Sequence, residues 1–297
     1  MQKNLIRFDW AIKRLLRNKA NFTVLEGFLS ELLYTDLKIN RILDSESNQN
    51  SSDDKFNRVD ILVEDSQGEM LIIEIQNQNE YDYFQRMIYG TAKVISEYIN
   101  LGEPYDKIKK VYSINIVYFD LGQGDDYLYH GRTDFKGVHK SDLLKLSPKQ
   151  MEMFGKTDPF QLFPEYYVIK VNQFNDIAKD TLDEWIYFLK NDEILEGFNA
   201  KGLIHAKEIL KLDKLTSSEK ALYIKYLEDL SYKASMVKTW KADELDGIKK
   251  MWNIEMAKNL IKAGADNELI SNATGLTISE IDKLRQKKTD LPTGLLI

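Results

Sequence analysis

The chain has 297 residues, of which 43% are hydrophobic and 30% are charged, so it can bury a sizeable core in one large domain or two smaller ones. It contains no cysteine, which excludes disulfides and thiolate metal sites and predicts a reducing, cytoplasmic location. The net charge of -6 argues against a protein that coats DNA but is compatible with an enzyme that has a local basic groove. No apolar run reaches the length of a membrane span, and the amphipathic N-terminus lacks the apolar core of a signal peptide.

The first 180 residues alternate between strand and helix patterns, which is typical of an α/β domain. Strands are predicted where apolar and β-branched residues cluster between turn-forming residues, over 39–43, 57–65, 69–76, 110–120, 127–135 and 165–174. Helices are predicted where apolar residues recur every three or four positions, from Asn21 or Thr23 to Tyr34 and over 82–100.

Strand patterns end near Leu182, and helical periodicity continues to the end of the chain. The predicted division is therefore an α/β domain over 1–180 and an all-helical region over 181–297. Residues 267–284 resemble a helix–turn–helix, but the second helix begins with Glu280 and Asp282, which does not suit contact with phosphate. We therefore favour an oligomerisation or regulatory module over a DNA reader, with Met251 and Trp252 available for a partner.

Two acids and an amide share one face of the hairpin predicted at 57–76. Side chains alternate between faces along a strand, so Asp60 lies with Leu62 on the first strand, and Glu74 lies with Gln76 on the second. If the turn is centred on Gln67, Asp60 lies opposite Glu74, whereas a slipped register makes the two diagonal neighbours. In either case, two carboxylates and one amide converge among apolar residues.

Acids within apolar strands require a partner, because a buried carboxylate is costly unless it is paired with a cation or bound to a metal. Oxygen ligands without a nearby cysteine or histidine suit Mg²⁺ or Mn²⁺, and such an ion fits phosphodiester hydrolysis. The spacing leaves a second interpretation open. In it, Asp60 pairs with a structural arginine or lysine, and Glu74 and Gln76 lie at a solvated strand end.

The order of these elements resembles the αβββαβ core of the restriction-endonuclease-like PD-(D/E)xK nucleases. More narrowly, the chain resembles the Rpn family of recombination-promoting nucleases, also labelled PD-(D/E)xK putative transposases. The matching stretches are Arg58-Val59-Asp60-Ile61, Ile73-Glu74-Ile75-Gln76, the following helix with Tyr83, Arg86 and Tyr89, Phe163-Pro164-Glu165, and the tail from Ser271 to Ile281. The resemblance implies a mixed sheet and a metal-dependent DNA endonuclease of little sequence specificity, used in recombination or in phage defence.

Carried over residue by residue, the resemblance implies that Asp60 and Glu74 bind the metal and that Gln76 stands where the wider superfamily has a catalytic lysine. A glutamine can orient water through its amide but supplies no positive charge, which predicts a greater reliance on the metal. On the preceding helix, Glu26 is expected to reach the metal through water, in preference to Glu31.

DNA contacts are expected from Arg86, Arg58 and Tyr89, although Tyr83 and Tyr89 could equally pack the helix on the sheet. The expected partners are DNA, a second copy of the chain in a dimer, and an inhibitory partner derived from its own C-terminal region, without a membrane. The alternative function is a non-catalytic DNA-binding or assembly protein that keeps the nuclease fold. A DDE-type transposase is disfavoured, because it needs a different strand order and a third acid.

Overall fold

The computed structural model describes residues 5–14, 16, 19–43, 60–99 and 102–286. The chain forms two compact units, one over Met1–Lys220 and the other over Ala221–Ile297. The first unit contains the sheet and the second is helical. Within the described ranges, none of the helices combines the length and the apolar character that crossing a membrane requires.

A mixed sheet with strand order β1-β2-β3-β4-β6-β5 forms the centre of the first unit. Its strands are β1 (Ile39–Leu43), β2 (Ile61–Asp65), β3 (Met70–Gln76), β4 (Val111–Val117), β5 (Leu128–Gly131) and β6 (Glu165–Lys170). The pairs β3–β4 and β4–β6 are parallel, and the remaining pairs are antiparallel. The α/β fold with a mixed sheet is therefore confirmed, and each strand lies inside its predicted range.

Helices cover the sheet and pack against one another. Those of the first unit are α1 (Phe8–Arg14), α2 (Phe22–Leu33), α3 (Tyr83–Glu97), α4 (Pro148–Phe154), α5 (Thr181–Asn191) and α6 (Leu203–Ile209). An aromatic cluster joins α1, α2 and α5, with Phe8, Phe28 and Trp185 in edge contacts at 5.6–6.1 Å between ring centroids. At Gly27 of α2, a Cβ would collide with the carbonyl oxygen of Lys201, so the missing side chain permits close packing.

The compact units divide after residue 220, so these contacts of α5 lie within the first unit, whereas the sequence division placed the boundary after residue 180. The difference has a packing cause. Helices α5 and α6 follow the last strand and look like the beginning of a helical region, but Trp185 and Phe188 are fully buried within the first unit. Periodicity locates the change in secondary structure, but it does not reveal which core a helix joins.

Helix α3 lies on the sheet face that carries the candidate site. One apolar cluster joins α3 to the first four strands through Leu43, Leu62, Met70, Ile72, Val94 and Val111. A second cluster joins it to β4 and β6 through Tyr83, Met87, Val117, Leu121 and Val168. Residues 72, 74 and 76 alternate onto this same face, so Glu74 and Gln76 point towards α3.

The second unit contains all but the first turn of the long helix α7 (Ser217–Lys262), followed by α8 (Asn267–Thr274) and α9 (Ile278–Gln286). Its core is small and consists of Ala257, Ile270, Leu276 and Ile281, which join the end of α7 to α8 and α9. Gly275 has a φ of 70° and makes the turn between α8 and α9, a conformation that favours glycine. The predicted helical C-terminal region is therefore confirmed.

Candidate functional site

The hairpin β2–β3 brings Asp60 beside Glu74. The strands pair Ile61 with Ile73 and Leu62 with Ile72, so the next position along places Asp60 opposite Glu74. This is the register expected from a turn centred on Gln67. The Asp60 carboxylate also accepts a hydrogen bond of 2.7 Å from the backbone N–H of Ile75, which holds it against β3.

Glu74 is a buried carboxylate whose charge is balanced by Arg86. The Glu74 side chain is 8% exposed, and its Oε2 lies 3.4 Å from Nε of Arg86. Burial by itself lowers the pKa of Arg86, but the carboxylates of Glu74 and Glu80 outweigh burial and raise it above the usual value. The guanidinium therefore remains charged. The alternative interpretation expected an ion pair at Asp60 and a solvated Glu74, whereas the structure places the ion pair at a buried Glu74.

Glu80 organises the two other polar groups of the site. Its carboxylate accepts two hydrogen bonds of 3.1 Å from Arg86, and it also accepts one from the side-chain amide of Gln76. Gln76 is thus held by a side chain from the loop that leads into α3. Sequence reasoning missed Glu80, because the only signal was an acid four residues beyond Gln76 in a polar loop.

Tyr83 and Asn115 are polar residues that lie next to the acids. Asn115 on β4 is the ladder partner of Glu74 on β3, and the hydroxyl of Tyr83 donates to its Oδ1 at 3.3 Å. Burial raises the pKa of Tyr83, and the negative charges of Glu74 and Asp60 raise it further. The phenol therefore remains a neutral donor at ordinary pH. Tyr83 is fully buried while Tyr89 is 47% exposed, so the two tyrosines do not form one DNA-facing surface.

Lys170 lies in the same row of the sheet as Gln76. Val117 on β4 pairs with both residues, and Lys170 follows Val168 of the α3-facing cluster by two positions. The lysine is 1% exposed, and its Nζ lies 5.7 Å from the ring centroid of Tyr129. Among the described residues, this ammonium has no hydrogen-bond partner. Sequence reasoning missed Lys170, because a lysine at a strand end is normally solvated.

Glu26 lies at the opposite end of the hairpin from Asp60. Its carboxylate accepts from the backbone N–H of Ile39 at 2.9 Å and from Nζ of Lys38 at 3.1 Å. Ile39 pairs with Asp65, the last residue of β2, whereas Asp60 precedes its first. The structure therefore does not bring Glu26 to the two acids, and its side chain serves to fix the start of β1.

The remaining candidates are distributed as follows. Arg86 belongs to the site through Glu74 and Glu80, and Tyr89 is exposed on α3. Arg58 lies outside the described residues. Glu31 accepts from the hydroxyl of Thr181 and from the backbone N–H of Lys201, so it ties α2 to the later helices.

The donor set fits a hard divalent cation. Among the described residues, no three His, Cys, Asp or Glu side chains are grouped so that they could hold a metal ion. Mg²⁺ is commonly bound by only one or two protein carboxylates together with substrate phosphates and water. Asp60 and Glu74, which are adjacent across the β2–β3 pair, supply two carboxylates of the kind that bind Mg²⁺ in this way.

A mixed sheet with an acidic hairpin at one end, followed by a helix and a parallel strand, defines a restriction-endonuclease-like nuclease fold. The sequence matches the family described as PD-(D/E)XK nuclease family transposase over residues 6–240. The chain belongs to this family. Comparison with curated proteins and with solved structures found no match.

Replacing Arg86 by alanine is expected to destabilise the first unit, because Glu74 then keeps a buried charge without its cation. We expect a loss of about 2 kcal/mol in the free energy of unfolding. This is less than the cost of breaking a fully buried ion pair, because Arg86 is partly exposed. If Glu74 is a metal ligand, Mn²⁺ should raise the melting temperature of Arg86→Ala more than that of the wild type, because the ion would compete with arginine for Glu74.

The matched control is Arg41→Ala, which removes the exposed partner of Glu64 at 2.8 Å and should cost less than about 1 kcal/mol. Thermal melts with and without Mn²⁺ measure both effects. Equal Mn²⁺ shifts in wild type and Arg86→Ala would contradict competition at Glu74.

Lys170→Met is expected to stabilise the protein, because it removes a buried ammonium without an acceptor and leaves an unbranched apolar side chain only one atom shorter. Lys110→Met is the matched control. Lys110, the residue before β4, is also buried, but its Nζ donates to Glu165 and to the carbonyl oxygens of Phe160 and Phe163. Urea denaturation should show a gain of about 1 kcal/mol for the first variant and a loss of similar size or larger for the second. Losses in both variants would mean that Lys170 makes a stabilising interaction.

Proposed function

We propose that this protein is a metal-dependent DNA endonuclease that hydrolyses phosphodiester bonds with little sequence specificity. The observation that carries the proposal is the adjacency of Asp60 and Glu74 on one hairpin, with Arg86 and Gln76 beside them. Membership of a PD-(D/E)XK nuclease family supports the reaction class. DNA is the substrate that follows from that class.

Asp60 and Glu74 are the residues that would hold Mg²⁺ or Mn²⁺. When bound there, the ion would act as a Lewis acid towards the phosphodiester and offset its developing negative charge. The charge of Glu74 would then be balanced by the ion, and Arg86 would become available to a phosphate oxygen. Arginine suits this task because its planar donors match phosphate oxygens in pairs.

Gln76 has the role of a water-positioning residue in this proposal. Its amide is fixed by the hydrogen bond to Glu80 and lies two residues beyond Glu74 on the same face of β3. A neutral amide can orient a water molecule but cannot replace the charge of a lysine. Positive charge at the site therefore depends on the metal and on Arg86.

The biological setting that we propose is DNA recombination or the limitation of phage, in the cytoplasm. The proposed DNA contacts are Arg86, Arg58 and Tyr89. We also propose a restraining partner derived from the C-terminal region of the same protein. A second candidate function is non-catalytic DNA binding. It is favoured by the ion pair between Arg86 and Glu74, which neutralises one of the acids without a metal.

Nicking of supercoiled plasmid in Mg²⁺ or Mn²⁺ tests the endonuclease directly. Asp60→Asn and Glu74→Gln remove a charge while keeping the shape, and each should lower the rate by roughly 100-fold or more. Glu26→Gln is the control, because it changes an acid at the opposite end of the hairpin and should leave the rate close to that of the wild type.

Equal nicking by wild type and Asp60→Asn would refute the assignment, since the activity would come from elsewhere. A wild type that binds DNA in a salt-sensitive way without cutting it, and whose binding is unaffected by Glu74→Gln, would favour the second candidate.

A further inference from the structure

The middle of α7 is a solvated helix with a large amount of exposed apolar surface. Every residue from 231 to 252 is exposed. This stretch includes two tryptophans, Trp240 at 65% and Trp252 at 76% exposure. Helices in proteins depend on packing of an apolar face for most of their stability, and contiguous exposed apolar surface marks an interaction site.

These side chains lie predominantly on one side of the helix. At about 100° per residue, an arc of roughly 140° contains most of the large ones. Its members are Val237, Trp240, Leu245, Ile248, Met251 and Trp252. Helices α8 and α9 pack on a different side of α7, which carries Ile254, Ala257 and Ile261. The exposed face is thus separate from the core of the second unit.

The charges on this face are divided between its two halves. From residue 233 to residue 255, the charged side chains inside the arc are Lys233 and Lys241 in the first half, and Glu244 and Glu255 in the second. The other charged residues of this segment, such as Asp243 and Lys250, point away from the arc. An apolar face with basic residues at one end and acidic residues at the other is complementary to itself when reversed.

We propose that α7 pairs antiparallel with α7 of a second copy of this chain. A twofold axis near residue 243 would place Lys241 of each copy beside Glu244 of the other, and Lys233 beside Glu255. The same axis would place Val237 beside Ile248. A parallel pair would instead set Lys241 against Lys241 and Glu244 against Glu244, which is unfavourable.

The apolar content of the face suits a stable dimer. Aromatic side chains bury about 150–250 Å² each, so the four tryptophans of a dimer supply a large part of the roughly 1,200 Å² that a specific interface needs. Small and large residues also meet, because Ala234 would lie beside Trp252 of the second copy. The proposal is independent of the nuclease activity, since it uses no residue of the candidate site.

Two adjacent acids, Glu244 inside the arc and Asp243 outside it, give a matched pair of variants. Glu244→Lys places lysine beside Lys241 twice in each dimer, and we expect the dimer dissociation constant to rise by at least about tenfold. Asp243→Lys makes the same change in net charge on the outer face and should leave the constant unchanged. Lys241→Glu combined with Glu244→Lys restores opposite charges across the twofold and should restore the dimer. Light scattering coupled to size-exclusion chromatography of the full chain measures all three.

The absence of cysteine makes orientation accessible to disulfide crosslinking. Val237→Cys and Ile248→Cys chains with different tags, mixed and then oxidised, should crosslink to each other and not to themselves. A monomeric wild type at micromolar concentration, equal weakening by Glu244→Lys and Asp243→Lys, or crosslinking of Val237→Cys only to itself would overturn the proposal.

Discussion

The charge of Glu74 is the constraint on which the rest of the site depends. A carboxylate buried within a sheet must be neutralised, and the fold supplies a guanidinium from α3 at 3.4 Å for that purpose. The loop before α3 adds Glu80, which binds Arg86 and Gln76 together. The arrangement of Arg86, Glu80 and Gln76 thus centres on one buried charge, while apolar contacts hold α3 on the sheet. A divalent ion at Asp60 and Glu74 would satisfy the same requirement in another way, and arginine and metal would then be alternatives at a single carboxylate.

Strand alternation and the central turn were sufficient to predict the acidic hairpin. Gln67 lies midway between Asp60 and Glu74, and the observed register follows from it. The neighbours across the sheet could not be predicted in this way. Asn115 lies beside Glu74 because β4 pairs with β3 in parallel, and Lys170 lies one strand further away on β6. Strand order is decided by packing between distant segments. Local patterns therefore identified the acids but not the groups that surround them.

Glu26 and the helices after residue 180 illustrate a second limit of local reasoning. An acid on the helix before the core was a plausible outer ligand, but the side chain of Glu26 caps the start of β1 at the far end of the hairpin. In the same way, α5 belongs to the first unit because Trp185 and Phe188 fill its aromatic core. In both cases the local pattern was identified correctly. The contacts that Glu26 and α5 make depend on where they lie in the fold, which the local pattern does not reveal.

Helix α7 shows the reverse relation between pattern and packing. Within the first unit, the apolar residues of α2 and α5 are buried against other elements of the same chain, and this burial explains their periodicity. In the middle of α7 the apolar residues remain exposed, and the small three-helix core uses a different side of the helix. Two apolar faces on one helix require two partners, and α8 with α9 provides only one. Along the exposed face of α7, lysines precede glutamates. This order favours antiparallel pairing with α7 of another copy, because the antiparallel orientation places unlike charges together and the parallel one does not.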